Sequence, residues 1–366
     1  MILVLTAGFG DGHNTAARSV AEALVQLHPD EEVQVKDLVS DVQPRLADVL
    51  KRLYQQAITN FPSAWRMVYR QLERTEMNPD KTAWLAPLLR ALDTMLNESH
   101  PRLIISTYPL YSMLLQALER NRAVPPLATV ITDSITVHPI WTKAPSDVYC
   151  VADDETREVV EQKLHIPASK IRVTGFPVSL QFIRPLPPGD DSDKRQRLLY
   201  VPSTSARRVA ATLKELRPQV EKGLHLTIPV GKHEARLYHI LRRFIDGLPG
   251  ASIEIIGWTT RMPELLRTHD VIICKAGGAI MHEVLAARIP AVIDYVVPGQ
   301  EEGNAEMLVK ADCGVVTGSA KETANEVARI LADHGKVANE MRSRMEKLSV
   351  PDAAIRTAEA ALAISP

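Results

Sequence analysis

Short apolar runs alternate with helix-length amphipathic segments along almost the whole chain, and that alternation admits few folds. Residues 2–6, 33–37, 102–106, 127–133, 148–152 and 171–175 read as strands in the first half. A second series follows at 198–202, 224–229, 252–257, 271–274, 291–295 and 314–318. Strands joined through helices run parallel, because the crossover returns the chain to the same end of the sheet. Between the first two runs, Ala16, Val20, Ala23, Leu24 and Leu27 recur at helical spacing and give one apolar face. The pattern breaks at "QFIRPLPPGDDSDKRQR" (181–197), whose prolines, glycine and charges suit a linker. The expectation is α/β architecture in two doubly wound halves, an N-terminal domain at 1–180 and a C-terminal domain at 198–340. A helical segment, 341–366, follows and is expected to pack back on the N-terminal domain. Two such halves set a central cleft between them, with ligands at the carboxyl ends of the strands facing it.

Residues 44–100 depart from the alternation as a helical insertion containing Tyr54, Phe61, Trp65, Tyr69 and Trp84. Between Arg45 and Trp84 it carries seven basic residues against four acidic ones. The 366-residue chain is otherwise balanced, 43 Lys+Arg against 44 Asp+Glu, which argues against a nucleic-acid binder. Cys150, Cys274 and Cys313 are odd in number and far apart, so they read as reduced thiols and not as a disulfide framework or a zinc site. No run approaches the roughly 18 apolar residues of a membrane span. The N-terminus lacks a basic region before its first apolar run, so no signal peptide is expected. A cytoplasmic protein is expected, meeting a membrane only at its surface.

"AGFGDGHNTAA" (7–17) follows the first strand run and opens the first helix. Gly8, Gly10 and Gly12 allow a tight turn and close approach to the backbone, and the helix start offers free N–H groups. Asp37 ends the second strand run, where a dinucleotide site would place its ribose-binding acid. The spacing, however, puts His13 where that fingerprint has its third glycine, and a partial glycine motif is a weak signal. His13 at such a loop is either a helix cap or a general base, whose ordinary titration range suits it to proton transfer.

The richest stretch is "VIICKAGGAIMHEVLAARIPAVIDYVVPGQEEGNAEML" (271–308). A buried strand leads to Gly277 and Gly278, a helix carrying Glu283 follows, and a second strand ends in "PGQEEGN". The chemical sense is a nucleotide-sugar site. The glycines let backbone approach a diphosphate at the helix start, Glu283 accepts from ribose hydroxyls, and Gln300 and Glu301 offer partners to a sugar. Each piece alone is also what an ordinary turn and a solvated acidic loop look like.

Together these motifs resemble the monogalactosyldiacylglycerol synthases and bacterial diacylglycerol glucosyltransferases, over nearly the whole chain. "GFGDGHNTAA" is similar to their Gly-x-Gly-His loop, "VITDSITVHPIWTKAPSDVYCVADDETREVV" (130–160) to their central segment, and "VTGFPV" (173–178) to the stretch before their linker. "IIGWTTRMPELLRTHDVIICKAGG" and "PGQEEGNAEML" are similar to their donor site. The resemblance implies a GT-B fold of two Rossmann-like domains. It makes His13 the catalytic base or part of the acceptor site, with Asp133 and His138 beside it. It sets Gly257, Trp258 and Thr259 near uracil, Gly277, Gly278 and Glu283 at the phosphates and ribose, and Gln300, Glu301 and Asn304 at the sugar. Gly10, Gly12, Tyr108 and Trp141 then belong to the acceptor side, while Trp65, Arg66 and Arg70 are the expected contacts with an anionic membrane surface.

The chain also departs from that pattern. Its first C-terminal strand leads into "VPSTSARRVAATL" (201–213) instead of a glycine-rich loop. Ser203, Thr204 and Ser205 can bond a phosphate there, and Arg207 or Arg208 can pair with it. Tyr108 stands where a histidine is common, and Ala276 where a proline is. The implied reaction is inverting transfer of a hexose from UDP-glucose or UDP-galactose to diacylglycerol or a related lipid. No cofactor is expected, and no Asp-x-Asp metal motif is present. The alternatives at this point are a polyprenyl-lipid glycosyltransferase, a nucleotide-sugar epimerase, and a non-catalytic nucleotide-sugar sensor.

Overall fold

The computed structural model describes residues 1–60, 67, 85–186, 195–231, 234–298 and 301–365. Of the expected site residues, Trp65, Arg66, Arg70 and Gln300 lie outside them. The chain divides into two units, Met1–Leu180 with Pro298–Gly303 and Val350–Pro366, and Gln181–Val297 with Asn304–Ser349.

The first unit runs β1 (Ile2–Leu5), α1 (Asp11–Leu27), β2 (Val33–Lys36), α2 (Leu38–Val42), α3 (Pro44–Asn60), α4 (Ala86–Ser99), β3 (Leu103–Ser106), α5 (Leu110–Glu119), β4 (Leu127–Val130), β5 (Val148–Val151), α6 (Asp154–Glu158) and β6 (Ile171–Val173). Its six parallel strands lie in the order β2-β1-β3-β4-β5-β6. The inner strands read as continuous apolar runs because helices cover both faces. Leu3, Leu5 and Ile104 pack under Leu88, Leu92, Leu96 and Leu114 of α4 and α5. Their neighbours Ile2, Val4, Leu103 and Ile105 point the other way, to Val20 and Leu24 of α1.

The second unit contains β7 (Arg197–Tyr200), α7 (Ala206–Glu221), β8 (His225–Pro229), α8 (Glu234–Asp246), β9 (Ile253–Ile256), α9 (Met262–Thr268), β10 (Val271–Lys275), α10 (Gly278–Ala287), β11 (Ala291–Tyr295), α11 (Glu302–Lys310), β12 (Gly314–Val316) and α12 (Ala320–Met345), α11 beginning at the edge of the 298–303 segment. Its parallel order is β9-β8-β7-β10-β11-β12. This is the dinucleotide-fold order 3-2-1-4-5-6. A final helix, α13 (Ala353–Leu362), buries Ala354, Ala358 and Ala361 in the first unit's core.

Two boundaries differ from the sequence reading. Residues from 181 belong with the second unit, where Arg267 donates to the carbonyls of Gln181 and Arg184 at 2.9 and 2.7 Å. The second unit also continues past 340 to Ser349, because Met341 on α12 lies in its core. Only the last stretch, from Val350, belongs to the first unit.

Candidate active site

In the first unit the strand order reverses between β1 and β3, so the loops after these strands diverge and leave a crevice at their carboxyl ends. The loop after β1 reaches α1 through Gly10, whose φ of +130° suits glycine. His13 is the third residue of α1, and its Nδ1 lies 2.8 Å from the carbonyl oxygen of Thr107 in the loop after β3. Thr132 Oγ1 lies 2.9 Å from the same nitrogen. A carbonyl only accepts, so Nδ1 carries the hydrogen and Nε2 keeps its lone pair. Thr107 Oγ1 also donates to the His13 carbonyl, so the two loops lock together. Burial lowers the His13 pKa, against the opposing pull of the Asp133 charge and the Thr107 hydrogen bond. The ring is held neutral and in one tautomer, which is what a base awaiting a proton requires.

Around it stand Tyr108, edge-on with ring centroids 5.0 Å apart, and Trp141 at 6.0 Å. Phe9 stacks on Tyr108 at 5.8 Å. Asp133 accepts from the Trp141 indole at 2.8 Å and from the His138 amide at 3.2 Å. It therefore acts on His13 through its charge, and the atoms that orient the ring are those of Thr107 and Thr132. His138 Nδ1 accepts from the Ile140 amide at 3.1 Å and caps the turn at Pro139–Thr142. Trp141 is 2% exposed and packs beside the histidine. Gly12 sits in the first turn of α1. Asp37, the candidate ribose acid of the dinucleotide reading, uses its oxygens on the Gly8 and Ser40 amides, each at 3.0 Å. That carboxylate serves the loop.

In the second unit the order reverses between β7 and β10. After β10, Gly277 is the N-cap of α10, and among the described residues no side chain caps that helix. Its first-turn N–H groups are available to an anion. Lys275 ends β10, and a Cβ on Gly277 would meet Lys275 Nζ at 3.1 Å. The glycine thus leaves room for an ammonium beside an uncapped helix start. The opposite holds after β7, where Ser205 accepts from the Arg208 amide at 3.3 Å and caps α7 itself. Ser203 Oγ is bonded to the Val201 carbonyl at 3.4 Å, and Thr204 is buried. Arg208 donates to the carbonyls of Gly318, Asp294 and Thr317, which removes it from the phosphate partners; Arg207 remains exposed. Beneath this loop Asp294 is 3% exposed with no hydrogen bond to either oxygen among the described residues, and burial pushes its pKa up to about 6.

Glu283 lies half-buried in the second turn of α10, the same helix whose start Gly277 and Gly278 form. Gly257, Trp258 and Thr259 follow β9, and Trp258 is 70% exposed, an aromatic face open to a flat ring. Asn304 donates its amide to the Ala276 carbonyl at 3.1 Å and is buried, so it braces the turn before Gly277. Glu301 is buried in the 298–303 segment counted with the first unit.

The monogalactosyldiacylglycerol synthase family model matches residues 13–178, and the glycosyltransferase family 28 C-terminal domain model matches 198–357. A processive diacylglycerol beta-glucosyltransferase of Bacillus cereus (strain G9842) is 27% identical over 99% of this chain and 93% of its own length. Among solved structures, Acinetobacter baumannii MurG aligns with a TM-score of 0.61 at 16% identity, covering 99% of both chains. A Neisseria meningitidis UDP-GlcNAc 2-epimerase bound to UDP-GlcNAc aligns at 0.61 and 12% identity, over 96% of this chain and 97% of its own. The chain is thus similar to the monogalactosyldiacylglycerol synthases over 13–178 and to the glycosyltransferase family 28 C-terminal domain over 198–357.

It is a glycosyltransferase of GT-B fold, and the two matched models meet across the break in the strand pattern. Transferases and epimerases share this fold, so the fold alone does not choose between them. In this glycosyltransferase the sequence reading overlooked Lys275 and Thr107. Lys275 was legible as a cation two residues before a glycine pair. Thr107 was not, since it acts through a backbone carbonyl that any residue supplies.

Proposed function

We propose that this glycosyltransferase moves a hexose from a uridine-diphosphate sugar to the free hydroxyl of diacylglycerol, with inversion at the anomeric carbon. The observation that carries the reading is His13, neutral, oriented by Thr107, and with Nε2 free to take a proton. The acceptor oxygen attacks the anomeric carbon as the bond from that carbon to the diphosphate breaks. The hydroxyl proton passes to Nε2, and UDP leaves with the bonding pair. A positioned base of this kind contributes about 10²–10⁴-fold in rate. Charge growing on the diphosphate is met by the uncapped start of α10 and by Lys275, with Glu283 at the ribose and Trp258 against uracil. The names of the Bacillus relatives support diacylglycerol as acceptor and favour glucose as the sugar.

No helix among the described residues is long and apolar enough to cross a membrane, so a lipid acceptor is reached from the surface. The outer face of α3 suits that contact. Leu46, Val49 and Leu53 form one exposed stripe on it, flanked by the exposed Arg45 and Arg52. The function is tested by incubating the protein with labelled UDP-glucose or UDP-galactose and diacylglycerol in vesicles. A β-linked glycolipid and one equivalent of UDP are expected. Nucleotide-sugar epimerisation, or UDP release without a lipid product, would overturn the reading.

A further inference from the structure

The loop that delivers His13 is held by residues outside the catalytic cluster. Gly8 in that loop donates its amide to Asp37 Oδ2 at 3.0 Å. Asp37 ends the β2 segment and caps α2 through the Ser40 amide, and the Ser40 hydroxyl donates to the same Oδ2 at 2.5 Å. Lys51 reaches in from α3, donating to Ser40 Oγ at 2.7 Å with its ammonium 3.6 Å from Asp37 Oδ2. The contact with the loop is direct, because a Cβ on Gly8 would meet Lys51 Nζ at 2.8 Å. The lysine occupies the space that the missing side chain leaves. At the far end of the loop, Thr6 Oγ1 donates to Asn14 Oδ1 at 2.9 Å, next to His13.

At 3.6 residues per turn, Lys51 projects from the side of α3 opposite Leu46, Val49 and Leu53. One helix thus touches the glycine loop on one face and turns an apolar, arginine-flanked stripe to solvent on the other. We propose that Asp37, Ser40 and Lys51 are positioning residues for His13, and that Lys51 makes the loop's conformation depend on the seating of α3. The dependence of turnover on His13 rests on the function proposed above, whereas the dependence of the loop on Lys51 does not.

The test pairs hydrogen exchange with kinetics on the full-length protein, comparing Lys51→Met, Asp37→Asn and the conservative Lys51→Arg. Lys51→Met keeps most of the apolar stem, and an unaltered circular dichroism spectrum checks that each variant folds. Exchange at the Gly8 amide is expected to quicken at least about 10-fold in Lys51→Met and Asp37→Asn, and less in Lys51→Arg. Turnover is expected to fall about 10-fold or more while KM for the nucleotide sugar stays within about threefold, because the donor groups lie in the other unit. The His13 ring nitrogens, followed by NMR, are expected to titrate at a different pH in Lys51→Met. Parent-like exchange at Gly8 together with a parent-like His13 titration would overturn the proposal. If the parent transfers no sugar, the proposed function fails, and exchange with the histidine titration still decides the loop's dependence on Lys51.

Discussion

His13 draws its chemistry from two oxygens contributed by distant parts of the chain, Thr107 O and Thr132 Oγ1. Both hold Nδ1, and the reactive nitrogen is the one they leave alone. Replacing the ring with His13→Ala should therefore lower kcat about 10²-fold or more while UDP affinity stays within a few-fold. Normal turnover in that variant would reduce the histidine to a structural group. Since its pKa is lowered, kcat/KM in the parent should be flat near neutral pH and fall only on the acid side, as the ring protonates. On the donor side, charge and shape separate cleanly. Glu283→Ala should abolish most of the thermal shift produced by UDP. Lys275→Met should weaken UDP about 10-fold while leaving uridine nearly unaffected, since only the diphosphate needs an ammonium. Equal losses for both ligands would move Lys275 away from the phosphates.

At the level of elements, the starts of β8, β9 and β10 are tied by a hydrogen-bond chain whose polarity is anchored at the Leu265 carbonyl. Arg195 donates to Ser252 Oγ at 2.7 Å, and Ser252 Oγ lies 2.7 Å from His225 Nδ1. His225 Nε2 donates to Thr227 at 3.1 Å, Thr227 to His269 Nε2 at 2.8 Å, and His269 Nδ1 to the Leu265 carbonyl at 2.7 Å. In this chain His269 is neutral, because Nδ1 gives its hydrogen to the Leu265 carbonyl and Nε2 accepts from the Thr227 hydroxyl. Burial, with His225 and Arg197 nearby, lowers the His269 pKa to about 4, against the pull of the Leu265 carbonyl and Asp270. The stabilisation is present in full above the ordinary histidine value of 6.5 and is lost as pH falls from there through about 4. The melting temperature should drop over that window, and His269→Gln should flatten the slope. Parallel slopes in parent and variant would count against the chain. On α3, Val49→Asp with Leu53→Asp should release the protein from anionic vesicles at low salt without altering the UDP-induced shift. Each basic residue at such a surface adds about 1 kcal/mol. Undiminished co-sedimentation would locate the contact elsewhere.

Over the whole molecule, the chain leaves the first unit at Leu180 and, after the short Pro298–Gly303 segment, makes its final return to it at Val350. The return is shaped by Gly175, whose φ is +84° and whose absent Cβ would lie 2.7 Å from Ala353 Cβ and 2.9 Å from Val350 Cγ1. Thr357 on α13 donates to Thr174 at 2.9 Å beside it. Both the backbone and the space exclude a side chain, so Gly175→Ala should cost about 2 kcal/mol or more. Deleting 350–366 should cost more still, because α13 supplies buried alanines that no other element replaces. A Gly175→Ala protein that melts like the parent would mean that the segment shifts without loss.

The strands, the break in their pattern and the glycine turn before Glu283 could all be read from the sequence, because apolar periodicity and glycine obey local rules of the backbone. Twelve expected strand runs correspond to β1 through β12: 291–295 matches β11 end for end, ten others are trimmed by one to three residues at an end, and Arg197 and Lys275 each add one. The family likeness was legible for the same reason, since its motifs sit on contiguous loops. What those loops do to one another was decided only by tertiary structure. Asp37 stood where a ribose acid belongs, yet it closes on Gly8, and Arg208 closes on three carbonyls. Asn304 braces Ala276, and the final helix joins a core begun some 350 residues earlier. A side chain's type states which bonds it can make, whereas its partner is whatever the fold brings within 3 Å. For His13 that partner is a backbone carbonyl 94 residues away, and it sets which nitrogen is free.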